Sequence, residues 1–158
     1  MKISIICVGK IKEKYFTSAI EEYSKRLSRF TQLEITEIND EKIPDNASQK
    51  EMEQIKQKEG RGILSKIRDG SYVIALCIEG NMLSSEALAK KMDAISMQSS
   101  HITFIIGGSL GLCDEVKNKA SLQLSFGKMT LPHQLMRVVL CEQIYRAFKI
   151  NNNESYHK

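Results

Sequence analysis

No apolar run in this chain of 158 residues approaches the roughly 20 needed to cross a bilayer. The opening residues, Met1-Lys2-Ile3-Ser4-Ile5-Ile6-Cys7-Val8-Gly9, hold only a short apolar stretch and no small-residue cleavage pattern. They are expected to form a strand rather than a secretory signal. Cysteine is sparse and scattered: Cys7, Cys77, Cys113 and Cys141 form no C-x-x-C pair, and His101, His133 and His157 stand at no ligand spacing from them. A metal site therefore has no support in the spacing. A chain of this length buries a core without disulfide staples, so reduced thiols, a cytoplasmic location and no membrane are the expectation. Repeats, low-complexity tracts and linkers are also missing, which leaves one domain over residues 1–158.

What is present is ordinary globular composition, with 42% hydrophobic and 27% charged residues, which argues against disorder. The net charge of +4 is unevenly spread. Residues 125–158 carry Lys128, Arg137, Arg146, Lys149 and Lys158 against Glu142 and Glu154. A basic final stretch is a weak pointer to a phosphate-rich partner.

Strand and helix patterns alternate along the chain. Lys2–Val8 is β-rich. Over Lys14–Arg29, Phe16, Ala19, Ile20, Tyr23 and Leu27 recur at helical spacing. Leu33–Ile38 alternates like a half-buried strand, and Asn39–Asn46 is loop-like. Ser48-Gln49-Lys50-Glu51 fits a capping box opening a helix to about Ile67. Tyr72–Ile78 and Ile102–Ile106 are apolar strands of the kind buried on both faces. Helices are expected at Ser85–Met97, Asp114–Ala120 and His133 to about Phe148, with a short strand at Leu122–Ser125. The fold class this predicts is α/β, a mainly parallel sheet with helices on both faces. In such sheets ligands sit beyond the carboxyl ends of strands. That rule selects the residues following Leu76, Ile106 and Ser125.

Ile105-Ile106-Gly107-Gly108-Ser109-Leu110-Gly111 fits neither the dinucleotide fingerprint nor a P-loop. It does match G-x-S-x-G, with Asp114 and His133 following in the order of a hydrolase triad, so serine hydrolysis at Ser109 is one alternative. Ser125-Phe126-Gly127-Lys128-Met129-Thr130-Leu131-Pro132-His133 is a tight strand-to-helix loop; by spacing alone it reads as an ordinary connection, and its backbone donors also suit a nucleotide-like cofactor. The final helix is apolar around most of its circumference, which suggests burial on a second side, at a subunit interface. Glu142 precedes Arg146 by one helical turn, the favourable order for an ion pair. The chain closes on Tyr156-His157-Lys158, which by position reads as a frayed tail and by residue type, an aromatic, an imidazole and a cation, also suits RNA.

Ile6-Cys7-Val8-Gly9-Lys10, Ile105-Ile106-Gly107-Gly108-Ser109-Leu110-Gly111, Met129-Thr130-Leu131-Pro132-His133, Arg137-Val138, Glu142-Gln143-Ile144-Tyr145-Arg146-Ala147 and Tyr156-His157-Lys158 occur in register. As a set they closely resemble the ribosomal RNA large subunit methyltransferase H family, minimal members of the SPOUT (α/β-knot) methyltransferases. The resemblance spans the whole chain and is most specific in its C-terminal half. It implies a C-terminal trefoil knot, which chains otherwise avoid, a homodimer, and S-adenosyl-L-methionine bound in the knot. The implied reaction is rRNA modification at N3 of a pseudouridine in 23S rRNA, on the assembled ribosome. Cofactor contacts carry over to Leu76, to Gly107 and Gly108, and to Gly127, Lys128, Met129, Thr130, Leu131 and Pro132. Those are the strand-end segments selected above. Lys128 is a departure, because a long cation there need not touch the cofactor and is free to face RNA.

Methyl transfer from a sulfonium asks the protein mainly for alignment and exclusion of water. The N3 proton must also leave, which calls for a base. By the resemblance, Tyr156 and His157 are the expected catalytic residues, reaching the neighbouring subunit's cofactor. Arg137, Arg146 and Lys158 are expected to hold RNA, with Glu142 orienting Arg146. A ribosome-binding module without methyl transfer is the other alternative at this stage.

Overall fold

The computed structural model describes residues 1–158. The elements run β1 (Lys2–Val8), α1 (Lys14–Leu27), β2 (Gln32–Ile38), α2 (Gln49–Leu64), β3 (Tyr72–Met82), α3 (Ser85–Ser96), β4 (His101–Ile106), α4 (Asp114–Lys119), β5 (Leu122–Ser125) and α5 (His133–Asn151). The strands form one all-parallel sheet in the order β2-β1-β4-β3-β5.

Period-two alternation decides the layers. β1 sends Ile3, Ile5 and Cys7 to one face and Ile6 and Val8 to the other, and β4 sends Ile102, Phe104 and Ile106 one way and Ile105 the other. Leu27 of α1, Leu88 and Met92 of α3 and Leu140 and Ile144 of α5 cover the first face. Ile63 of α2 and Val116 of α4 cover the second. Every residue of the central strand β4 is buried, and each such large side chain contributes about 1.5–3 kcal/mol through burial.

Boundaries differ from the pattern by three or more residues in three places, each with a local cause. α2 opens on the expected capping box, with Ser48 and Glu51 satisfying each other's amides. It closes at Leu64, before Ile67, where the ladder tightens to three-residue turns from Lys66 to Ile63 and from Ile67 to Leu64, and the Ser65 hydroxyl donates to the Gly62 carbonyl at 2.7 Å. β3 runs past Ile78 to Met82: after an irregularity between Leu76 and Asn81 it resumes pairing with β5. Gly80 makes this possible, since a Cβ there would stand 2.7 Å from the Gln123 backbone. α5 continues past Phe148 to Asn151, whose side-chain amide donates to the Ala89 carbonyl at 2.9 Å.

α5 lies between α1 and α3 on the sheet. Leu140, Cys141, Ile144 and Ala147 face the core, while Tyr145 and Phe148 pack against Tyr23 and Phe30. Much of the all-round apolarity of α5 is therefore used inside the chain.

Candidate functional site

Beside the irregularity that follows Leu76 in β3, and at the carboxyl ends of β4 and β5, lies a cleft of about 740 Å³. Leu76, Gly107, Gly108, Gly127, Met129, Thr130, Leu131 and Pro132 all line it, so the three strand-end segments meet in one place. The Lys128 side chain is exposed and stands off the lining, so that only the backbone of this residue is left to face the cleft. In the loop before α5, Ser125 Oγ accepts from the Gly127 amide at 3.1 Å. The amides of Lys128, Met129, Thr130 and Leu131 donate to no group of the chain, leaving several backbone donors for a bound molecule. Leu76, Ile106, Leu124 and Met136 supply apolar walls, and Lys117 and Glu79 form an ion pair on the lining. Cys77, half-buried on the wall, has its thiol pushed up by burial and then by Glu79, so it stays protonated. An apolar slot with free amides and two adjacent glycines suits a nucleoside-sized ligand.

Beneath the cleft, the N-terminus of α5 is fastened to the end of β1. Gly9 has φ +93°, and a Cβ on it would stand 2.8 Å from Cε1 of His133, a close approach that requires glycine. Arg137 is 2% exposed. It donates to Glu37 Oε2 at 2.9 Å and to the Gly9 carbonyl at 3.0 Å. Arg137 was expected to hold RNA; in the structure its guanidinium is turned inward and clamps β1, β2 and α5 together. Burial alone would raise the Glu37 carboxyl, but Arg137 and the Ile11 amide hold it below its ordinary range. Burial, and then Arg137, lowers His133 below the usual imidazole value. Burial pushes the thiols of Cys7 and Cys141 up to about 12. Two buried nitrogens here lack partners, His133 Nδ1 and Arg137 Nε.

His133 lines the cleft as well, yet pattern and resemblance left it off the cofactor set; the one signal was its place directly after Pro132. Ser109 is exposed and makes no side-chain hydrogen bond to His133, and His133 makes none to Asp114. The hydrolase triad is not assembled.

A second cluster forms where the tail folds back on the far half of α5. Glu142 Oε1 accepts from Arg146 Nε at 3.0 Å and from the Tyr156 hydroxyl at 3.1 Å. Gln143 donates to the other Glu142 oxygen at 2.8 Å. The Arg146 guanidinium lies over the Tyr156 ring, 4.7 Å from its centroid, and Tyr156 meets Tyr145 edge-on. Arg146 Nη1 and His157 Nδ1 are 3.2 Å apart, and His157 Nε2 is 2.8 Å from Glu86 Oε1 on α3. Burial and Glu142 push the Tyr156 phenol up to about 12, which makes it a hydrogen-bond donor and a poor base near neutrality. Lys158 is exposed beside this cluster. None of Arg146, Tyr156, His157 or Lys158 lines the cleft of its own chain. Glu86 gave no signal in the sequence beyond being an acid in a first helical turn.

Residues 1–157 match the model of a family described as "Predicted SPOUT methyltransferase". The ribosomal RNA large subunit methyltransferase H of Clostridioides difficile (strain 630) is 60% identical, over 100% of both chains. The protein of that description from Bifidobacterium animalis subsp. lactis (strain AD011) is 56% identical, again over 100% of both. Among solved structures, a probable methylase family protein from Haemophilus influenzae Rd KW20 superposes with a TM-score of 0.55 at 15% identity, covering 99% of this chain and 70% of its own. That likeness bears on the fold alone.

Proposed function

The chain belongs to the SPOUT methyltransferase family, and from that premise we propose that it methylates the ribosomal RNA of the large subunit with S-adenosyl-L-methionine as donor. The observation that carries the proposal is the convergence of Leu76 before the β3 irregularity, Gly107-Gly108 after β4, and Gly127 and Met129–Pro132 after β5 on one cleft. Relatives more than half identical over their full length, described as ribosomal RNA large subunit methyltransferase H, support the same substrate class. The finer reading is transfer to N3 of a pseudouridine in 23S rRNA on the assembled ribosome, in the cytoplasm, by a homodimer whose chain is knotted before α5.

The cofactor supplies the methyl group and a neutral leaving sulfur. The chain's task is to hold it by the free amides of Lys128–Leu131, shield it from water and accept the N3 proton. A second copy accounts for two observations. Ile78, Met82, Leu83, Phe126, Met129 and Leu131 form an exposed apolar set around the cleft and the β3–β5 edge, the kind of patch partners cover. Arg146, Tyr156 and His157 stay outside their own chain's cleft, as they would if they served the neighbour's.

Calorimetric titration with S-adenosyl-L-methionine, followed by methyl transfer to ribosomes and to naked rRNA, tests the reading. Saturable binding and transfer to ribosomes are the expected results. An absence of heat and of thermal stabilisation at millimolar cofactor would overturn it and favour an RNA-binding module without chemistry.

A further inference from the structure

Both ring nitrogens of His157 are engaged, and the partners dictate where the proton sits. A guanidinium has donors only, so Nδ1, 3.2 Å from Arg146 Nη1, is the acceptor. The proton is therefore on Nε2, which donates to Glu86 Oε1 at 2.8 Å. An imidazolium does not fit this arrangement, because its Nδ1–H would face a guanidinium N–H. A ring held through one N–H by a carboxylate, with the other lone pair directed elsewhere, is oriented as a base. Here Arg146 occupies that lone pair. The Arg146 side chain is itself 23% exposed and is held by surface contacts to Glu142 and Tyr156.

We propose that Glu86 is a positioning residue that sets the orientation of His157, and that Arg146 caps the His157 Nδ1 lone pair until RNA draws the guanidinium away. The proposal rests on the methyltransferase reading and deepens it by making base release depend on the substrate. When an RNA phosphate or the target base engages Arg146, Nδ1 is uncovered. Nδ1 then takes the N3 proton while the electrons of the N3–H bond form the new bond to the methyl carbon. The carbon–sulfur bond breaks with its electron pair remaining on sulfur, which becomes a neutral thioether. His157 becomes an imidazolium, with its Nε2–H on the Glu86 carboxylate.

The first test needs no cofactor. Long-range proton–nitrogen NMR of the free protein, with His157 assigned by a His157→Asn variant, is expected to show the Nε2–H tautomer. An Nδ1–H ring, or an even mixture of the two forms, overturns the proposal. The second test is turnover on ribosomes. Glu86→Ala is expected to lower kcat by about 10- to 100-fold, the scale seen when an orienting partner of a histidine is removed. KM for ribosomes and cofactor affinity should hold. Glu86→Gln, whose amide oxygen still accepts from Nε2–H, is expected to recover most of the loss. An unchanged kcat in Glu86→Ala, or a fall matched by losses of melting temperature and cofactor affinity, overturns the positioning role. Full turnover in His157→Ala would overturn it too while leaving the methyltransferase reading intact. Failure of the wild-type protein to bind cofactor would count against that reading instead, and the tautomer measurement would still decide the geometry.

Discussion

The two halves of α5 each carry one arginine, and the chain treats them oppositely. Arg137, in the first half, is sealed under the cleft with Glu37 and the Gly9 carbonyl. Arg146, in the second half, lies among half-buried groups that all have other uses: Glu142, Tyr156 and His157. The same side chain is a structural clamp in one setting and an available cation in the other. Depth decides the difference. A buried guanidinium is costly unless every charge around it is matched, whereas a surface one is cheap to hold and cheap to move.

The comparison is broken most directly at Arg137. Arg137→Ala is expected to cost about 3 kcal/mol, because it strands the Gly9 carbonyl and the Glu37 carboxylate without their cation. Denaturant unfolding measures this, and a loss below about 1 kcal/mol would place Arg137 with the surface pairs. Arg146→Ala should do the reverse. Stability is expected to move by no more than about 1 kcal/mol, while kcat/KM on ribosomes falls about 10- to 100-fold, the usual cost of a nucleic-acid-contacting arginine. Equal activity in steady-state assays would remove Arg146 from the RNA-facing set. Tyr156→Phe deletes a single hydrogen bond to Glu142 and is expected to cost about 1 kcal/mol. Its turnover should largely survive, since the phenol is a donor rather than a base.

The smallest effect concerns protons. His133 is held below the usual imidazole value by burial and by Arg137. Its contribution to stability is therefore complete above the unfolded value of about 6.5 and is lost as pH falls through the lowered folded value. His101, lowered by burial and then by Arg68, acts in the same direction. Melting temperature should drop on acidification below about pH 6.5, and His133→Gln should flatten part of that slope. An unchanged slope would show that His133 is not held neutral by the fold.

The element order was legible because strand alternation and helical spacing are local signals. Ser48 and Glu51 sit three residues apart and announce their own helix start. The three segments that line the cleft were legible through a rule about strand ends combined with resemblance. What escaped was decided by partners remote in sequence. Arg137 reads as one more basic residue until Glu37, 100 positions away, is seen beside it. Glu86 acquires significance only when His157, 71 positions on, folds back onto it. The extension of β3 to Met82 was hidden because Glu79-Gly80-Asn81 reads as a turn; its strand character comes from β5, on which Gly80 allows the backbone to close. For Lys128 the sequence left the side chain's direction open, because a loop position does not fix it.

The fastening of β1 to α5 also has a bearing on how the molecule folds. The Arg137 bond to the Gly9 carbonyl closes a separation of 128 positions, and the Lys12 amide reaches the Gln134 side chain across 122. Contacts of such long range carry a loop-closure entropy that must be met before they contribute, so they form late and slow the search. These contacts seat α5, which brings His133 and Met136 to the cleft. The strands can pair and collapse first, and the capacity to hold a cofactor arises only as α5 docks. In refolding experiments, ligand binding should therefore trail the recovery of helical signal, so the binding site serves as a clock for the last step of folding.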